Sequence, residues 1–302
     1  MEIHRTKVAF MFICCMKTVK DAFDVFKNKL APLYEVTEIE SIASLLIEEL
    51  TGLSRTQLKA FPERGLNVVQ SERLLTQLSC LKTGMPVQYI LESAHFYGSD
   101  FKVNPSVLIP RPETEELVDW ILKTIGHQPY QKILDIGTGS GCIPISLKLN
   151  TIDNEIFALD ISPKALEVAV ANAKLNNLDI SFFEADILNH DLTARSLPEF
   201  NVIVSNPPYV TETDKQQMHQ NVLDFEPHSA LFVPQSNPLL FYVAIANFAV
   251  THLVQNGYLF FEINESYGPE TVDMLAAKGF ADIELRKDLA GKDRMIRAVW
   301  PG

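Results

Sequence analysis

The chain has 302 residues, of which 47% are hydrophobic and 21% charged, and its formal net charge is −12. This length and balance suit a globular protein of one large domain or two ordinary ones. The acidic charge argues against binding of DNA or RNA through bulk electrostatics, which depends on lysine and arginine. No apolar run reaches the roughly 18 residues that a membrane span needs.

The cysteines and the N-terminus bear on the cellular compartment. The four cysteines form no Cys-x-x-Cys pair and no zinc spacing with the seven histidines, so we predict inert thiols in a reducing compartment and no metal site. The apolar run 8–15 follows Arg5 and Lys7 like a short signal peptide, but no small-residue cleavage site follows it. Met16 begins a sequence like a fresh start. We therefore predict a cytoplasmic protein whose residues 1–15 are an extension or a misassigned start, with an export signal as the alternative.

Residues 16–93 are predicted to form a small helical domain, whose apolar stripes are most simply its core. Their apolar residues recur at helical spacing between residues typical of helix starts and stops. The predicted helices run from the capping-box pattern Thr37-x-x-Glu40 to Gly52, from Ser54-x-x-Gln57, and from Ser71 to about Gly84.

The chain changes character after this region. Aromatic and β-branched residues surround Gly98-Ser99 in residues 94–110, which predicts a β-hairpin linker. In residues 111–302, strand-like and helix-like segments alternate, which predicts an α/β domain with a doubly wound, mostly parallel sheet. The predicted strands are 132–136, 155–159, 180–183, 200–205, 257–263, 282–285 and 295–299, the last two as a hairpin. The predicted helices are 113–123, 141–148, 163–175 and 237–253.

A glycine-rich loop follows the first of these strands. Gly137, Gly139 and Gly141 allow a sharp turn and a close approach of the backbone to a ligand. Their Gly-x-Gly-x-Gly spacing differs from the dinucleotide fingerprint, so no pyrophosphate cradle is implied. Asp135 precedes the loop and supplies a carboxylate that either orients the loop or faces a cationic ligand. Taken alone, the loop could also be a simple tight turn.

Acidic residues follow the next two predicted strands. Asp160 is placed to accept hydrogen bonds from both hydroxyls of a ribose. Asp186 could accept from the exocyclic amine of adenine. Together with the loop, they predict a site for a nucleoside without phosphate, which fits S-adenosylmethionine. An NAD site is the alternative.

The segment Asn206-Pro207-Pro208-Tyr209 follows the fourth predicted strand. The two prolines fix two φ angles and remove two backbone donors, and a residue before proline is held extended. A primary amide and an aromatic ring are therefore presented rigidly at a strand end, where open α/β sheets bind ligands. A plain turn after a strand is the alternative.

With these motifs, the chain resembles the class I S-adenosylmethionine-dependent methyltransferases, and more narrowly the release-factor glutamine N5-methyltransferases (the HemK/PrmC family). Asn-Pro-Pro-Tyr alone is shared with adenine-N6 DNA methyltransferases and with some RNA-base methyltransferases. The narrower resemblance is carried by residues 86–90, 96–98, 109–115, 226–231 and 288–294. It covers roughly residues 17–300, and departs from the family at 232–238, where members often carry a Gly-rich segment.

The resemblance implies a seven-stranded sheet, S-adenosylmethionine as cofactor with S-adenosylhomocysteine as product, and the Gly-Gly-Gln loop of peptide chain release factors as substrate of a monomeric enzyme. Asn206 Oδ1 and the Pro207 carbonyl would each accept one N–H of the target amide, while Pro208 adds rigidity and Tyr209 covers the planar amide. The expected cofactor-binding residues are Asp135, Gly137, Thr138, Gly139, Ser140, Gly141, Asp160, Ile161, Asp186, Ile187 and Asn206.

Several charged residues have two interpretations. By the resemblance, Arg111 and Glu113 lie over the substrate or cofactor pocket. Together with Glu115, they could instead form a cluster that stabilises the start of the helix 113–123, because acidic side chains favour the positive helix end. Asp293-Arg294 is interpreted as a surface ion pair, which contributes little to stability.

Phe96, Tyr97 and Phe101 could line a channel for the glutamine, but we favour core packing of the hairpin. Glu226 and Glu262 are acidic residues in apolar surroundings, and we predict structural hydrogen bonds for both.

Two other functions are alternatives for the same motifs. A nucleic-acid methyltransferase acting on adenine N6 or guanine N2 would use the same acceptor geometry, but it would flip a base and usually carry a basic recognition domain. The net charge of −12 counts against it. A non-catalytic S-adenosylmethionine-binding protein could dock a partner through its helical domain, although the intact Asn206-Pro207-Pro208-Tyr209 motif argues against that function.

Overall fold

The computed structural model describes residues 16–189 and 197–302. The predicted extension at residues 1–15 lies outside the described residues. The chain divides into two compact units, one ending at Leu91 and the other comprising Glu92–Gly302, so residues 94–110 fall within the second unit. None of the helices in the described ranges is both long and apolar enough to cross a membrane.

The first unit is helical, and its apolar side chains form one core. Its helices are α1 (Val19–Leu30), α2 (Val36–Thr51), α3 (Arg55–Ala60), α4 (Val68–Leu81) and α5 (Val87–Leu91). The predicted stop at Gly52 is confirmed: this glycine has a φ of 68°, which suits a left-handed C-cap. The predicted helix after Ser54 is confirmed as α3, with the capping box formed in both directions.

Two predicted helix starts are wrong. Helix α2 begins one residue before Thr37, and its N-cap Glu35 makes no side-chain capping bond. Helix α4 was predicted to start with Ser71 as its cap. It begins four residues earlier, and its cap is Asn67. Ser71 is instead buried inside the helix, where its hydroxyl donates to the Met16 carbonyl at 2.8 Å. Ser71 therefore lies too far inside the helix to be its cap.

The second unit opens with the predicted hairpin. Strands β1 (Ser93–Phe96) and β2 (Ser99–Lys102) pair antiparallel. The turn residues Tyr97 and Gly98 have φ values of 46° and 80°, as tight hairpin turns require. The hairpin prediction is confirmed over these strands, but residues 103–110 continue without regular structure.

Seven strands of the described residues form the main sheet, in the order β5-β4-β3-β6-β7-β9-β8. Strands β3 to β7 run parallel, whereas β9 pairs antiparallel with both β7 and β8. This confirms the predicted doubly wound, mostly parallel sheet. The elements after the hairpin are α6 (Pro112–Ile125), β3 (Lys132–Ile136), α7 (Cys142–Leu149), β4 (Glu155–Asp160), α8 (Pro163–Leu175), β5 (Ser181–Glu184), β6 (Phe200–Ser205), α9 (Glu212–Lys215), α10 (Gln220–Phe225), α11 (Leu240–His252), β7 (Leu253–Glu262), α12 (Gly268–Ala277), β8 (Ala281–Lys287) and β9 (Asp293–Trp300).

Successive residues of the central strands enter two different cores, because side chains alternate across a sheet. Ile133 and Val204 pack in the core that contains the buried residues of α6 and α7. Leu134 and Ile203 pack in the core beneath α11 and α12. Strand β3 has β4 on one side and β6 on the other, so the strand order reverses there. The carboxyl ends of these strands therefore frame the crevice in which such sheets bind ligands.

Candidate active site

A cavity of about 350 Å³ lies at the carboxyl ends of β3, β4, β5 and β6. The glycine loop and the Asn206-Pro207-Pro208 segment both line it, so the two main motifs share one space. The predicted site residues that line it are Arg111, Gly137, Thr138, Gly139, Ser140, Asp160, Ile161, Asp186, Ile187, Asn206, Pro207 and Pro208. The predicted site residues outside the lining are Glu113, Asp135, Gly141 and Tyr209.

The loop after β3 adopts a conformation that glycine favours. Gly137, Gly139 and Gly141 have φ values of 76°, 54° and 79°, in the left-handed region. The Gly137 amide donates to the Leu159 carbonyl at 2.9 Å, which ties the loop to β4. A β-carbon on Gly141 would lie 3.1 Å from the Ala169 Cβ. Gly141 therefore serves close packing of α7 on α8 rather than the cavity wall.

Asp160 holds the glycine loop from the end of β4. Its Oδ2 accepts the Gly139 amide at 2.8 Å, and its Oδ1 accepts the Ser162 amide at 2.9 Å. Burial raises the pKa of Asp160, while these backbone donors oppose the rise. Each carboxylate oxygen has a second lone pair. Asp160 can therefore keep the loop in place and still accept a hydrogen bond from a ligand in the cavity.

Asp135 is fully buried, and neither of its carboxylate oxygens has a hydrogen-bond partner among the described residues. The Thr138 hydroxyl lies close enough to influence the pKa of Asp135, but it too has no hydrogen-bond partner among the described residues. Burial raises the pKa of Asp135 to about 7; the nearby Thr138 hydroxyl lowers it in part, and the charge of Asp160 raises it further. A cationic ligand would stabilise the ionised form of such a carboxyl group.

The cavity suits a cationic nucleoside better than a phosphate. Arg111 is the one lysine or arginine among the lining residues that the structure describes, and its guanidinium is ion-paired with Glu226 at 2.5 Å. Asp160 and Asp186 both line the cavity. Asp135 is buried and directly precedes Ile136, which is also a lining residue. This balance disfavours the pyrophosphate of the alternative NAD site and fits the positively charged S-adenosylmethionine.

Asn206 lies level with Glu262, because the pairing of Ser205 with Phe261 places the next residues of β6 and β7 side by side. The Asn206 amide donates from Nδ2 to the Thr114 hydroxyl at 3.3 Å. That hydroxyl in turn donates to Glu262 Oε2 at 2.7 Å. The nitrogen of the Asn206 amide is therefore held by a hydrogen bond within the protein.

Glu262 is buried at the end of β7 and accepts hydrogen bonds on both oxygens. Its second partner is the Tyr209 hydroxyl, which donates to Oε1 at 3.1 Å. Burial raises the pKa of Glu262, and the Thr114 hydroxyl and the charge of Arg294 oppose that rise. The predicted structural role of Glu262 is confirmed.

The side chain of Tyr209 is half-buried, and its predicted contact with a substrate amide stays a prediction. Tyr209 is outside the lining of the cavity, and its side chain packs against the core beneath α11 and α12. Burial, and next the charge of Glu262, raise the pKa of Tyr209 above its ordinary value. The Tyr209 hydroxyl donates to Glu262, and the ring lies outside the cavity lining in this structure.

Arg111 lies in the cavity wall and also immediately precedes α6. Glu226, which is buried, accepts hydrogen bonds from Arg111 and from the Ile109 amide, the latter at 3.1 Å. It thereby joins the segment before α6 to the loop after α10, as its predicted structural role requires. Glu113 and Glu115 lie in the first turn of α6, and Glu115 accepts the amide of the hairpin turn at 2.8 Å.

The hairpin aromatic residues belong to the core. Phe96 and Phe101 are buried and meet edge to face with ring centroids 5.9 Å apart. Tyr97 packs against the same core. All three are outside the cavity lining, which confirms core packing.

The predicted Asp293-Arg294 surface ion pair is wrong. Arg294 pairs with Asp288 at 3.0 Å, and its side chain is 14% exposed. Asp293 pairs with Lys287 at 2.9 Å. Neighbouring residues of a strand point to opposite faces, so the two side chains find different partners.

Thr114 lines the cavity, although no motif in the sequence singles it out. Thr114 is 3% exposed, and it lies on the same face of α6 as the buried residues Leu117, Val118 and Ile121. The spacing of three, four and seven residues was the available signal, because it places Thr114 on the buried face of the helix. A hydroxyl at that position needs a buried partner.

Comparisons with known proteins agree with this geometry. Residues 21–91 match the PrmC N-terminal domain, and residues 116–228 match the Methyltransferase small domain. A release factor glutamine methyltransferase of Flavobacterium psychrophilum is 46% identical over 92% of this chain and 98% of its own length. One from Bacteroides thetaiotaomicron is 39% identical over 90% of this chain and 96% of its own length.

Among solved structures, a methyltransferase from Pyrococcus furiosus shares the fold. It aligns with a TM-score of 0.50 at 17% identity, covering 78% of this chain and all of that one. The sheet order, the two domain matches and the full-length relatives agree with one another. The chain therefore belongs to the release factor glutamine methyltransferases and has the class I methyltransferase fold.

Proposed function

We propose that the protein transfers a methyl group from S-adenosylmethionine to the side-chain amide nitrogen, N5, of the glutamine in the Gly-Gly-Gln loop of peptide chain release factors. The observation that carries this proposal is the shared cavity. The glycine loop and the acidic residues Asp160 and Asp186 line it, and so do Asn206 and Pro207. The names and nearly complete coverage of the relatives support the same substrate.

The cofactor end of the cavity would be formed by residues after three neighbouring strands. Bound there, S-adenosylmethionine would supply an activated methyl group on its sulfonium. Asp135 would face its positive charge, and Asp160 and Asp186 would accept from its ribose and adenine. The other residues in this assignment are Gly137, Thr138, Gly139, Ser140, Ile161, Ile187 and Asn206, while Gly141 would shape the loop from outside the cavity wall.

The substrate end would align the glutamine for attack. An amide nitrogen is a poor nucleophile, because its lone pair is delocalised into the carbonyl. Asn206 Oδ1 and the Pro207 carbonyl would each accept one of its N–H bonds, turning the lone pair towards the methyl group. They would also stabilise the positive charge that develops on the nitrogen. The prolines Pro207 and Pro208 keep these acceptors rigid, and the proton can leave after the transfer.

We also propose that the helical unit ending at Leu91 binds the release factor, and that the enzyme is a cytoplasmic monomer without direct contact to nucleic acid. The net charge of −12 and the free thiols of Cys80 and Cys142 support this setting. Binding of a release factor should then protect backbone amides of residues 16–91 from hydrogen exchange. Light scattering should give the mass of one chain.

The test of the reaction uses labelled S-adenosylmethionine with three acceptors: a purified release factor, its Gln→Ala loop variant, and duplex DNA. Asn206→Ala enzyme, confirmed to be folded by its circular dichroism spectrum, is the control. We expect label on the intact release factor alone, and loss of that label with Asn206→Ala. Label on DNA and none on the release factor would replace the proposal with a nucleic-acid methyltransferase.

A further inference from the structure

A directed series of hydrogen bonds links Asn206 to Thr114 and Glu262; Thr114 also lines the cavity, whereas Glu262 is outside its lining. Glu262 accepts at both oxygens, from the Tyr209 hydroxyl and from the Thr114 hydroxyl. A hydroxyl has one proton to donate. Because that of Thr114 is given to Glu262, its oxygen can only accept from Asn206, and it does so from Nδ2 at 3.3 Å.

The direction of this series decides which end of the Asn206 amide is available. Asn206 has an acceptor oxygen on one branch and a donor nitrogen on the other, so a half-turn of the amide exchanges them. With Nδ2 held by Thr114, Oδ1 remains for the cavity. The reversed amide would present N–H groups to the N–H groups of a glutamine, and donors facing donors cannot form a hydrogen bond.

Each member of the series is fixed by a separate element of the second unit. Thr114 lies in the first turn of α6 and is 3% exposed, and Glu262 ends β7 and is 1% exposed. Asn206 follows β6, which pairs with β7 directly beside it. Water has little access to Thr114 and Glu262, so the protein itself sets the direction of the hydrogen bonds.

We propose that Thr114 and Glu262 are positioning residues that select the acceptor face of Asn206 for the substrate amide. Neither residue touches the reacting atoms in this assignment; Thr114 acts through Asn206, and Glu262 acts through Thr114. The inference rests on the proposed function, because it needs a substrate that donates N–H groups to Asn206. It assigns part of the selectivity for an amide to a buried carboxylate.

The experiment compares Thr114→Val, which keeps the shape but removes the hydroxyl, with Thr114→Ser, which keeps the hydroxyl. Thr124→Val is the matched control, because Thr124 is on the same helix and its hydroxyl donates only to the Trp120 carbonyl of that helix. For Thr114→Val we expect kcat on a release factor to fall about 10- to 100-fold, the loss that follows from one misdirected hydrogen bond. The Kd for S-adenosylmethionine should stay within about threefold, since Thr114 is outside the set of residues assigned to the cofactor.

Thr114→Ser should restore most of the lost kcat, and Thr124→Val should match the wild type. Glu262→Gln is a second test, because its new amide can donate to Thr114 and release the hydroxyl proton towards Asn206. It should lower kcat to a similar degree. Thermal unfolding of each variant separates this effect from misfolding, since Thr114→Ser loses core packing but keeps the hydrogen bond.

Three results would overturn the inference. The first is an active Thr114→Val enzyme with kcat near that of the wild type, and the second is Thr114→Ser as impaired as Thr114→Val. The third is a wild-type enzyme that binds S-adenosylmethionine but leaves the release factor unmethylated. That last outcome also removes the proposed function, whereas the first two leave it standing.

Discussion

Replacement of Asp135 by asparagine should stabilise the protein, and more so at higher pH. Asp135 is fully buried without a hydrogen-bond partner in the described residues, and its pKa rises from 3.8 to about 7. Below pH 3.8 the carboxyl group is neutral in both the folded and the unfolded chain, so it has no pH-dependent effect. Between the two pKa values only the unfolded chain ionises, and folding becomes less favourable. Above the folded pKa the full penalty remains.

The magnitude follows from the pKa difference. A difference of about 3 units corresponds to about 4 kcal/mol of destabilisation at pH 8, since each unit contributes about 1.4 kcal/mol. At pH 5 the penalty has reached only about 2 kcal/mol by the same relation. Asp135→Asn removes both penalties. Any pH-independent change in packing cancels, so the variant should gain about 2 kcal/mol more at pH 8 than at pH 5.

Tryptophan fluorescence during urea unfolding is the assay. Both tryptophans, Trp120 and Trp300, lie in the unit Glu92–Gly302, so their signal reports on the unit that contains Asp135. Asp179→Asn, a change at an exposed carboxylate, is the control and should show no comparable pH dependence. Parallel stabilities of the wild type and Asp135→Asn from pH 5 to pH 8 would refute the reasoning, because an ionised Asp135 would then carry no folding penalty.

Three other substitutions test the geometry of the site. Gly141→Ala should lower the free energy of unfolding by about 2 kcal/mol, because it forces a positive φ on alanine and meets Ala169 at 3.1 Å; unchanged urea unfolding would contradict this. Asp160→Ala should weaken S-adenosylmethionine binding by about tenfold or more, because it frees two loop amides; calorimetry should show it, and an unaltered Kd would count against the site. Glu226→Ala should destabilise the second unit by about 1–3 kcal/mol, because Arg111 and a buried amide lose their acceptor; equal urea midpoints would argue otherwise.

The fold could be predicted where strong local signals agreed. The helix Pro163–Leu175 was predicted with its observed bounds, because Ser162 caps it and proline occupies its first turn. Strands β3 and β6 were also predicted with their observed bounds, since each is a short apolar run ending in a loop motif. The start of α4 was misplaced because Ser71 and Asn67 are both capping residue types. Only tertiary contact, which buries Ser71, distinguishes them.

The candidate site could be predicted only for residues that directly follow the ends of predicted strands. The glycine loop, Asp160, Asp186 and Asn206 follow successive parallel strands, so their approach to one cavity follows from the sheet alone. The contacts behind Asn206 could not be derived in this way, because Thr114 and Glu262 are separated by 148 residues. Their meeting depends on how α6 packs against β7. The contact of Tyr209 with Glu262, which is 53 residues away in the chain, could not be derived from the sequence either.

The most direct test of the central claim is mass spectrometry of a release factor methylated by this enzyme. Peptides that contain the Gly-Gly-Gln loop should carry one added methyl group, and fragmentation should place it on the glutamine side-chain amide. The mark should be absent when Asn206→Ala enzyme is used. A methyl group on another residue, or an unmodified loop beside labelled protein elsewhere, would contradict the account.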